Sequence, residues 1–538
     1  MTKHAMVRFH ARNLVFIAAI SLLLAFVYSG QAADYYVKPD GTDTNTGLSW
    51  ENAFKTIQKA AGIVTAGGTV TVAAGTYQEQ VTPVNAGSAG SPITYRAKEG
   101  DTVVVSGWET VTNFVLHGGV TWKKTTETVT INNVWEDNEY CDYVQKYNTN
   151  DVQATAATFY YDAAGDILYI HTKNGDSPDG HAIKATRKNS VFYVNGKDYV
   201  KIEGFTCKHA SSGIYFYLSD NCVASNNICC YNDWDAYLYG GISAYGGTNL
   251  TLANNTCYKN RGGIYVRSCA DSRITGNNCY SNYSYGGIQM WTSSGAALAN
   301  NIVSENVCYD NSTYGIVMDK QRSCLVSHNR LRNNRITFRY THSSSIANNT
   351  IYGTGGGIYI SLQSSNAVVR NNISWTTRGY LLYAMAVTDE ASKTNIVVDY
   401  NDFYPTGAGT YSFTWGKENP PSTPVMNSLS DWQGQTGQDG NSISTNALFV
   451  ADGTDFHLKS QYGTLVDGTN WVKFTTNSPC IDAGDPACAF ANEPPLNGEC
   501  INQGAYGNTA EASLSGLPVK PGSVFLLSQS RNRRNASP

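Results

Sequence analysis

An internal repeat constrains this chain more than any other feature. From about residue 200 a short string recurs: an aliphatic residue, Asn two or three positions on, x-Cys-Tyr-x-Asn, then Gly-Ile. Three copies are nearly complete. They are Leu252, Asn255, Cys257, Tyr258, Asn260, Gly263-Ile264; Ile274, Asn277, Cys279, Tyr280, Asn282, Gly287-Ile288; and Ile302, Asn306, Cys308, Tyr309, Asn311, Gly315-Ile316. Weaker copies centre on Asn227, Asn329, Asn349, Asn372 and Asn401, and successive Asn positions differ by 28, 22, 29, 23, 20, 23 and 29 residues. Such a unit cannot bury an apolar face alone, so it must stack on its neighbours.

The strings are β-branched, aromatic and Asn/Gly-rich, which fits strands better than helical or leucine-rich repeats. The period predicts an all-β fold, a right-handed parallel β-helix with three short strands per coil. Aligned Asn amides should then form an internal ladder. Cys207, Cys229, Cys257, Cys279 and Cys308 should stack inward as small apolar fillers. The 13 cysteines therefore do not read as a disulfide scaffold. Zinc is disfavoured, because no CxxC pair is matched by histidines at ligand spacing.

Residues 1–32 read as a signal peptide, with Lys3, Arg8 and Arg12 before an apolar run from Leu14 to Val27 and the small-residue stretch Gly30-Gln31-Ala32. A secreted or periplasmic protein without stable membrane insertion is expected. Its net charge is −4, and losing those three cations leaves −7. Residues 33–107 are expected to hold an N-terminal cap and the first coils, with Ala53, Phe54, Ile57, Ala60, Ala61 and Val64 on one helical face. Residues 108–185 break the repeat and predict an inserted β-rich subdomain, including the strand pair Ala157–Tyr161 and Ile167–His171. The main coils span 186–405, an irregular or capping region 406–512 and a disordered tail 513–538. One disulfide is expected among Cys480, Cys488 and Cys500. The chain should act as a monomer.

Tyr35-Tyr-Val-Lys-Pro-Asp-Gly-Thr-Asp43, Trp50, Ala53-Phe-Lys-Thr-Ile57, Gly68-Thr-Val and Ala74-Gly-Thr-Tyr77 resemble the opening of secreted pectate-lyase-like β-helix proteins. Ser478-Pro-Cys-Ile-Asp-Ala-Gly484 and Gly504-Ala-Tyr-Gly507 resemble their closing segments. The resemblance implies the fold. It leaves the chemistry open among lyases, glycoside hydrolases, epimerases and proteins with no known activity.

Strand alternation places Tyr245, Arg267, Trp291, Asp319 and Arg339 in one outward row, with Tyr265, Gln289 and Tyr359 beside it. Aromatics there can stack on sugar faces while charges grip substituents. The window from Asp319 to His342 holds Lys320, Arg322, Arg330, Arg332, Arg335 and Arg339 against one acid. Such a patch on an acidic protein suits a polyanionic ligand, whereas a pI near 6.1 disfavours nucleic acid. Arg330, Arg332 and Arg335 are expected to cap turns and face water.

β-Elimination of a uronate polysaccharide needs a cation on the carboxylate, a base for the C5 proton and an acid for the O4 oxygen. Lys320 can be the base if Arg322 and Arg339 lower its pKa. Arg339 or Arg267 can neutralise the carboxylate, and Tyr265 or Tyr359 can protonate the leaving oxygen.

The stretch from Asp319-Lys320 to Thr337-Phe338-Arg339 also resembles the alginate lyase and chondroitinase B family. That resemblance implies Lys320 as base, Arg339 as the Arg one coil later, and alginate as the leading substrate. The family's calcium-binding acids precede the Lys, where this chain has Thr313, Tyr314, Gly315 and Ile316. Calcium is thus a candidate cofactor with unassigned ligands. Two other readings remain: a glycoside hydrolase using Asp319 with Asp233 or Asp235, and a non-catalytic carbohydrate-binding or adhesin protein.

Overall fold

The computed structural model describes residues 32–516, apart from 127–129, 138–142, 187, 234–239, 293–297, 313, 378–382, 408–411 and 417–425. Residues 1–31 of the expected signal peptide, Asp235, Thr313 and residues 517–538 of the expected tail lie outside the described residues.

The chain is a right-handed parallel β-solenoid. Three long sheets run along it, with 12, 11 and 10 strands, here sheets 1, 2 and 3. One coil contributes Thr251–Ala253 to sheet 1, Thr256–Tyr258 to sheet 2 and Gly262–Arg267 to sheet 3. The next coil pairs in parallel with it on all three sheets, as in Leu252↔Ile274, Cys257↔Cys279 and Ile264↔Ile288. This register keeps like on like, so every coil adds to one continuous core.

The expected cysteine stack is present. Cys207, Cys229, Cys257, Cys279 and Cys308 align rung on rung and are fully buried. Burial holds the thiols of Cys229 and Cys257 well above the ordinary range, so these are packing groups.

Two Asn ladders run through the interior. One joins Asn227, Asn255, Asn277, Asn306, Asn329, Asn349, Asn372 and Asn401; the other joins Asn232, Asn260, Asn282, Asn311 and Asn334. Each amide satisfies backbone groups at a tight corner, where strands cannot. The residue before each first-ladder Asn turns the corner with positive φ, and Asn226, Asn254, Asn348 and Asn371 do so at 57°, 57°, 54° and 58°. Asn tolerates this region better than most residues. The Asn-Asn doublets thus pair a corner residue with a ladder residue. The glycine before the recurrent Ile is required by contact: a Cβ on Gly263 would lie 2.3 Å from the Gly287 carbonyl oxygen.

The predicted capping helix spans Ile57–Ala61, with Thr56 accepting from the Lys59 amide. Ile57, Ala60 and Ala61 join Phe54 and Val64 in the solenoid core. The inserted β-rich region contains Thr158–Asp162 paired antiparallel with Ile167–His171 and has its own core around Phe159, Leu168 and Ile183. Trp108 stacks on His209 of the solenoid at 3.4 Å.

After the last coils, a hairpin of Phe449–Ala451 and Asp455–Leu458 packs Phe449 and Phe456 against Tyr352 on the outer face of sheet 2. Order continues past the expected start of the tail. The Ser513 hydroxyl donates to the Leu458 carbonyl, and the Leu514 amide to the Gly463 carbonyl.

The expected disulfide does not form, and Cys480, Cys488 and Cys500 are free thiols. Each has another partner. Cys480 is buried and donates to Asp402 Oδ2, Cys488 accepts from Asn371 Nδ2, and Cys500 donates to the Gly484 carbonyl. Among the described residues, no helix is long and apolar enough to cross a membrane.

Candidate functional site

The outer face of sheet 3 carries the predicted row in register: Tyr245↔Arg267, Arg267↔Trp291, Trp291↔Asp319 and Asp319↔Arg339. Beside it runs a second row, Ser243, Tyr265, Gln289, Val317, Thr337 and Tyr359. All of this second row except Gln289 is buried, although its positions point away from the core.

The cover is a third row, formed by the residue just before each glycine or isoleucine: Arg261, Tyr285, Tyr314 and Arg335. Backbone hydrogen bonds Tyr285 N to Arg261 O and Gly315 N to Arg335 O keep these loops stacked coil on coil. Arg261 lies over the Tyr285 ring at 5.4 Å, and Arg335 over Tyr314 at 4.8 Å and Tyr359 at 4.4 Å. The face is therefore a trough. Tyr265, Gln289, Val317 and Thr337 form its floor, and both walls combine cations with aromatics. Arg339 and Tyr314 face each other across it at 6.0 Å.

In the first wall, Arg267 is held between Tyr245 at 5.2 Å and Trp291 at 4.5 Å. Cation–π contacts of this kind fix a guanidinium without neutralising it. Asp319 pairs with Arg339, Nε to Oδ2 at 3.3 Å, and its side chain is only 6% exposed against 30% for Arg339. Burial raises the Asp319 pKa above the ordinary carboxylate range, against the opposing pull of Arg339 and Lys320. Tyr265 is pushed up to about 12, chiefly by burial, with Arg267 opposing, so it keeps its proton near neutrality. Arg261 has Asp233 at 4.0 Å. Among the described residues, no carboxylate lies within ion-pair distance of Arg267 or Arg335. Arg267 Nε, Asp319 Oδ1, Arg335 Nε and Thr337 Oγ1 are buried with no hydrogen-bond partner there. Such atoms need an explanation, and here all four belong to one trough.

Sequence reasoning placed most of this, with exceptions. The register neighbour and ion-pair partner of Arg339 is Asp319, not Lys320. Lys320 occupies the corner after the strand, where its amide donates to the Arg339 carbonyl and its ammonium lies 5.9 Å from the Tyr340 ring. Its φ of 54° is ordinary for that corner, since Ser268 and Tyr340 take 55° and 48° in other coils. Arg322 lies beyond the corner, exposed, bridged through its backbone to His342, and does not join the trough. Arg335 is a wall residue, not a solvated cap. Arg330 and Arg332 project from sheet 2. The third row lies outside the predicted face, although an Arg or Tyr precedes Gly-Gly-Ile, Gly-Ile or Ile in four coils: Arg261, Tyr285, Tyr314 and Arg335.

For metals, Glu136, Asp137 and His181 bring potential ligand atoms within 4.8 Å of one another, in the inserted region. His181 Nδ1 already bonds Asp137 at 2.7 Å and Nε2 bonds Asp176 at 3.1 Å. These groups satisfy one another without an ion. No comparable group lies in the trough among the described residues.

A sequence model of the family described as "Right handed beta helix region" matches residues 189–337 and 299–422. That match covers the run of main coils and agrees with the right-handed parallel β-helix fold of the chain. Among curated proteins, this β-helix is 26% identical over 358 residues to the uncharacterized protein YwoF of Bacillus subtilis strain 168, covering 55% of this chain and 74% of that one. An 80-residue stretch is 38% identical to pectate lyase PEL9 of Emericella nidulans, covering 14% and 19%. Among solved structures, XylC in complex with xylose matches with a TM-score of 0.50 at 17% identity, over 72% of this chain and 86% of that one. Pectate lyase Pel9A matches with a TM-score of 0.40 at 14% identity, over 89% and 97%.

Proposed function

We propose that this β-helix is an exported carbohydrate-active enzyme that cleaves an acidic, uronate-containing polysaccharide by β-elimination, with alginate the leading substrate. One observation carries the reading: the trough holds two guanidiniums, Arg267 and Arg335, in a half-buried aromatic setting with no carboxylate beside them among the described residues. A polyanion supplies what those cations lack, and bidentate Arg–carboxylate contacts orient it.

In this reading a uronate carboxylate lies on Arg267, which makes the C5 proton easier to remove. Lys320, at the corner beside Asp319, takes that proton in its neutral amine form. The C5–H electrons form the C4=C5 double bond, the C4–O4 bond breaks, and Tyr265 delivers a proton to O4. Asp319 holds Arg339 in place. Gln289, Trp291 and Tyr245 line the path of the chain, Tyr359 supports Arg335, and Arg322 offers a contact only to a chain that extends past the corner. Calcium has no ligand set in this scheme.

A second reading rests on Asp319 itself. A buried acid with a raised pKa and an unpartnered oxygen suits the general acid of a glycoside hydrolase. Its second carboxyl would have to come from Asp233 or Asp235. Substitution separates the readings. Lys320→Ala should abolish turnover with an unchanged circular dichroism spectrum, and Asp319→Asn should leave measurable activity. The reverse pattern would transfer the chemistry to Asp319.

A further inference from the structure

The outer face of sheet 2 carries chemistry that the trough does not use. Register aligns Tyr258, Tyr280, Tyr309, Arg332 and Tyr352 in one row, and Asn278, Val307, Arg330 and Thr350 in the next. Arg330 and Arg332 are thus neighbouring cations on a stretch of face that is otherwise uncharged. The rings of Tyr258, Tyr280 and Tyr309 stack at 5.1 and 4.8 Å, nearly parallel. The Arg332 guanidinium closes that stack, 4.9 Å from the Tyr309 centroid.

Here the C-terminal hairpin begins to cover the face. Between the open tyrosine stack and the hairpin lies a pocket of about 290 Å³, lined by Val307, Tyr309, Arg330, Arg332 and Phe456, with Thr454 at its exposed lip. Both of its guanidiniums keep spare donors. Arg332 pairs through Nη2 with Asp310, but its Nε is buried with no hydrogen-bond partner among the described residues. Arg330 donates through Nη1 to the Tyr506 hydroxyl at 2.7 Å and has no ion-pair partner there. Asp455 is near enough to feel Arg330, but it is engaged by His457 Nδ1 at 2.6 Å.

We propose that this pocket is a second saccharide-binding site, separate from the trough, that takes one acidic sugar residue. The acid group lies on Arg330 and Arg332 Nε, and the ring lies against Phe456 and the edge of Tyr309. The volume is at the small end of ligand sites, matching one residue and not a chain. The acid follows from the pocket's own spare donors. That it is a sugar acid rests on the functional reading above.

The test is isothermal titration with D-galacturonate and D-glucose in the Arg267→Gln chain, where the trough contributes least. Galacturonate should bind and glucose should not. Adding Arg330→Gln should weaken galacturonate at least about tenfold, as expected for a lost charge-assisted contact. Adding Thr454→Trp, which plugs the lip without removing a cation, should abolish binding. No galacturonate binding, equal glucose binding, or binding that survives Thr454→Trp overturns the proposal. Failure of the lyase reading shows separately, as absence of unsaturated product from the unmutated protein.

Discussion

Asn306→Ala tests how the coils are held together. The Asn306 side chain donates to the Ile274 carbonyl at 2.9 Å and to Asn329 Oδ1 at 2.9 Å, and it accepts from the Asn277 amide at 2.9 Å and Asn277 Nδ2 at 3.0 Å. Alanine removes all four hydrogen bonds at a fully buried site. A buried hydrogen bond contributes about 1 kcal/mol net, and more when its loss strands a backbone group in a dry interior. The Asn277 amide is such a group, so the expected loss is about 4 kcal/mol. Asn300→Gly is the control: Asn300 has a φ of 64°, where glycine adds no strain, so the change removes one exposed corner contact to Asp271 Oδ1 at 2.9 Å and should cost under about 1 kcal/mol. Urea unfolding followed by tryptophan fluorescence measures both, and hydrogen exchange at Asn277 reads the stranded amide directly. If Asn306→Ala costs under about 1 kcal/mol, the ladder is ornament to a fold held by its apolar rungs.

Burial raises Asp402 to about 7, Glu493 to about 7 and Asp439 to about 6. An acid with a raised folded-state pKa stabilises fully below its ordinary pKa and loses that contribution as pH rises through the folded value. Melting of the C-terminal region should therefore fall between pH 4 and 7, and Asp402→Asn should flatten the fall; an unchanged slope contradicts this. In the inserted region, hydrogen bonds that His181 donates to Asp137 and Asp176 raise its pKa, so its contribution is complete below about pH 6.5 and fades above that. His181→Gln should remove this step from hydrogen exchange in 176–183, and an unaltered profile would show that the cluster does not matter. In the trough, Arg267→Ala should cut kcat/KM on a polyuronate by at least about tenfold; retained activity would move carboxylate binding to Arg335.

Much of the fold was legible because a solenoid writes its register into its sequence. Asn255, Cys257 and Gly263 recur because each answers a contact that every coil repeats. The row from Tyr245 to Arg339 followed from that register and simple alternation. The charge window did not survive, for a geometric reason. About 20 residues carry the chain around three faces, so the cations from Lys320 to Arg339 are close in sequence but dispersed in space. Arg322 ends at a corner, Arg330 and Arg332 on sheet 2, and Arg335 and Arg339 on opposite walls of the trough. Tyr285 and Tyr314 were missed because loop residues fall outside strand alternation, although the glycines behind them fix their stacking. The disulfide expectation failed because three late cysteines say nothing of the Asp402, Asn371 and Gly484 groups that each one meets.

Absorbance of the 4,5-unsaturated end tests the central claim most directly, because only elimination creates it. Purified protein incubated with alginate, pectate and chondroitin sulfate should raise ultraviolet absorbance with at least one of them, and the Lys320→Ala chain should not. New reducing ends without that absorbance would contradict the lyase account and place the chemistry on Asp319.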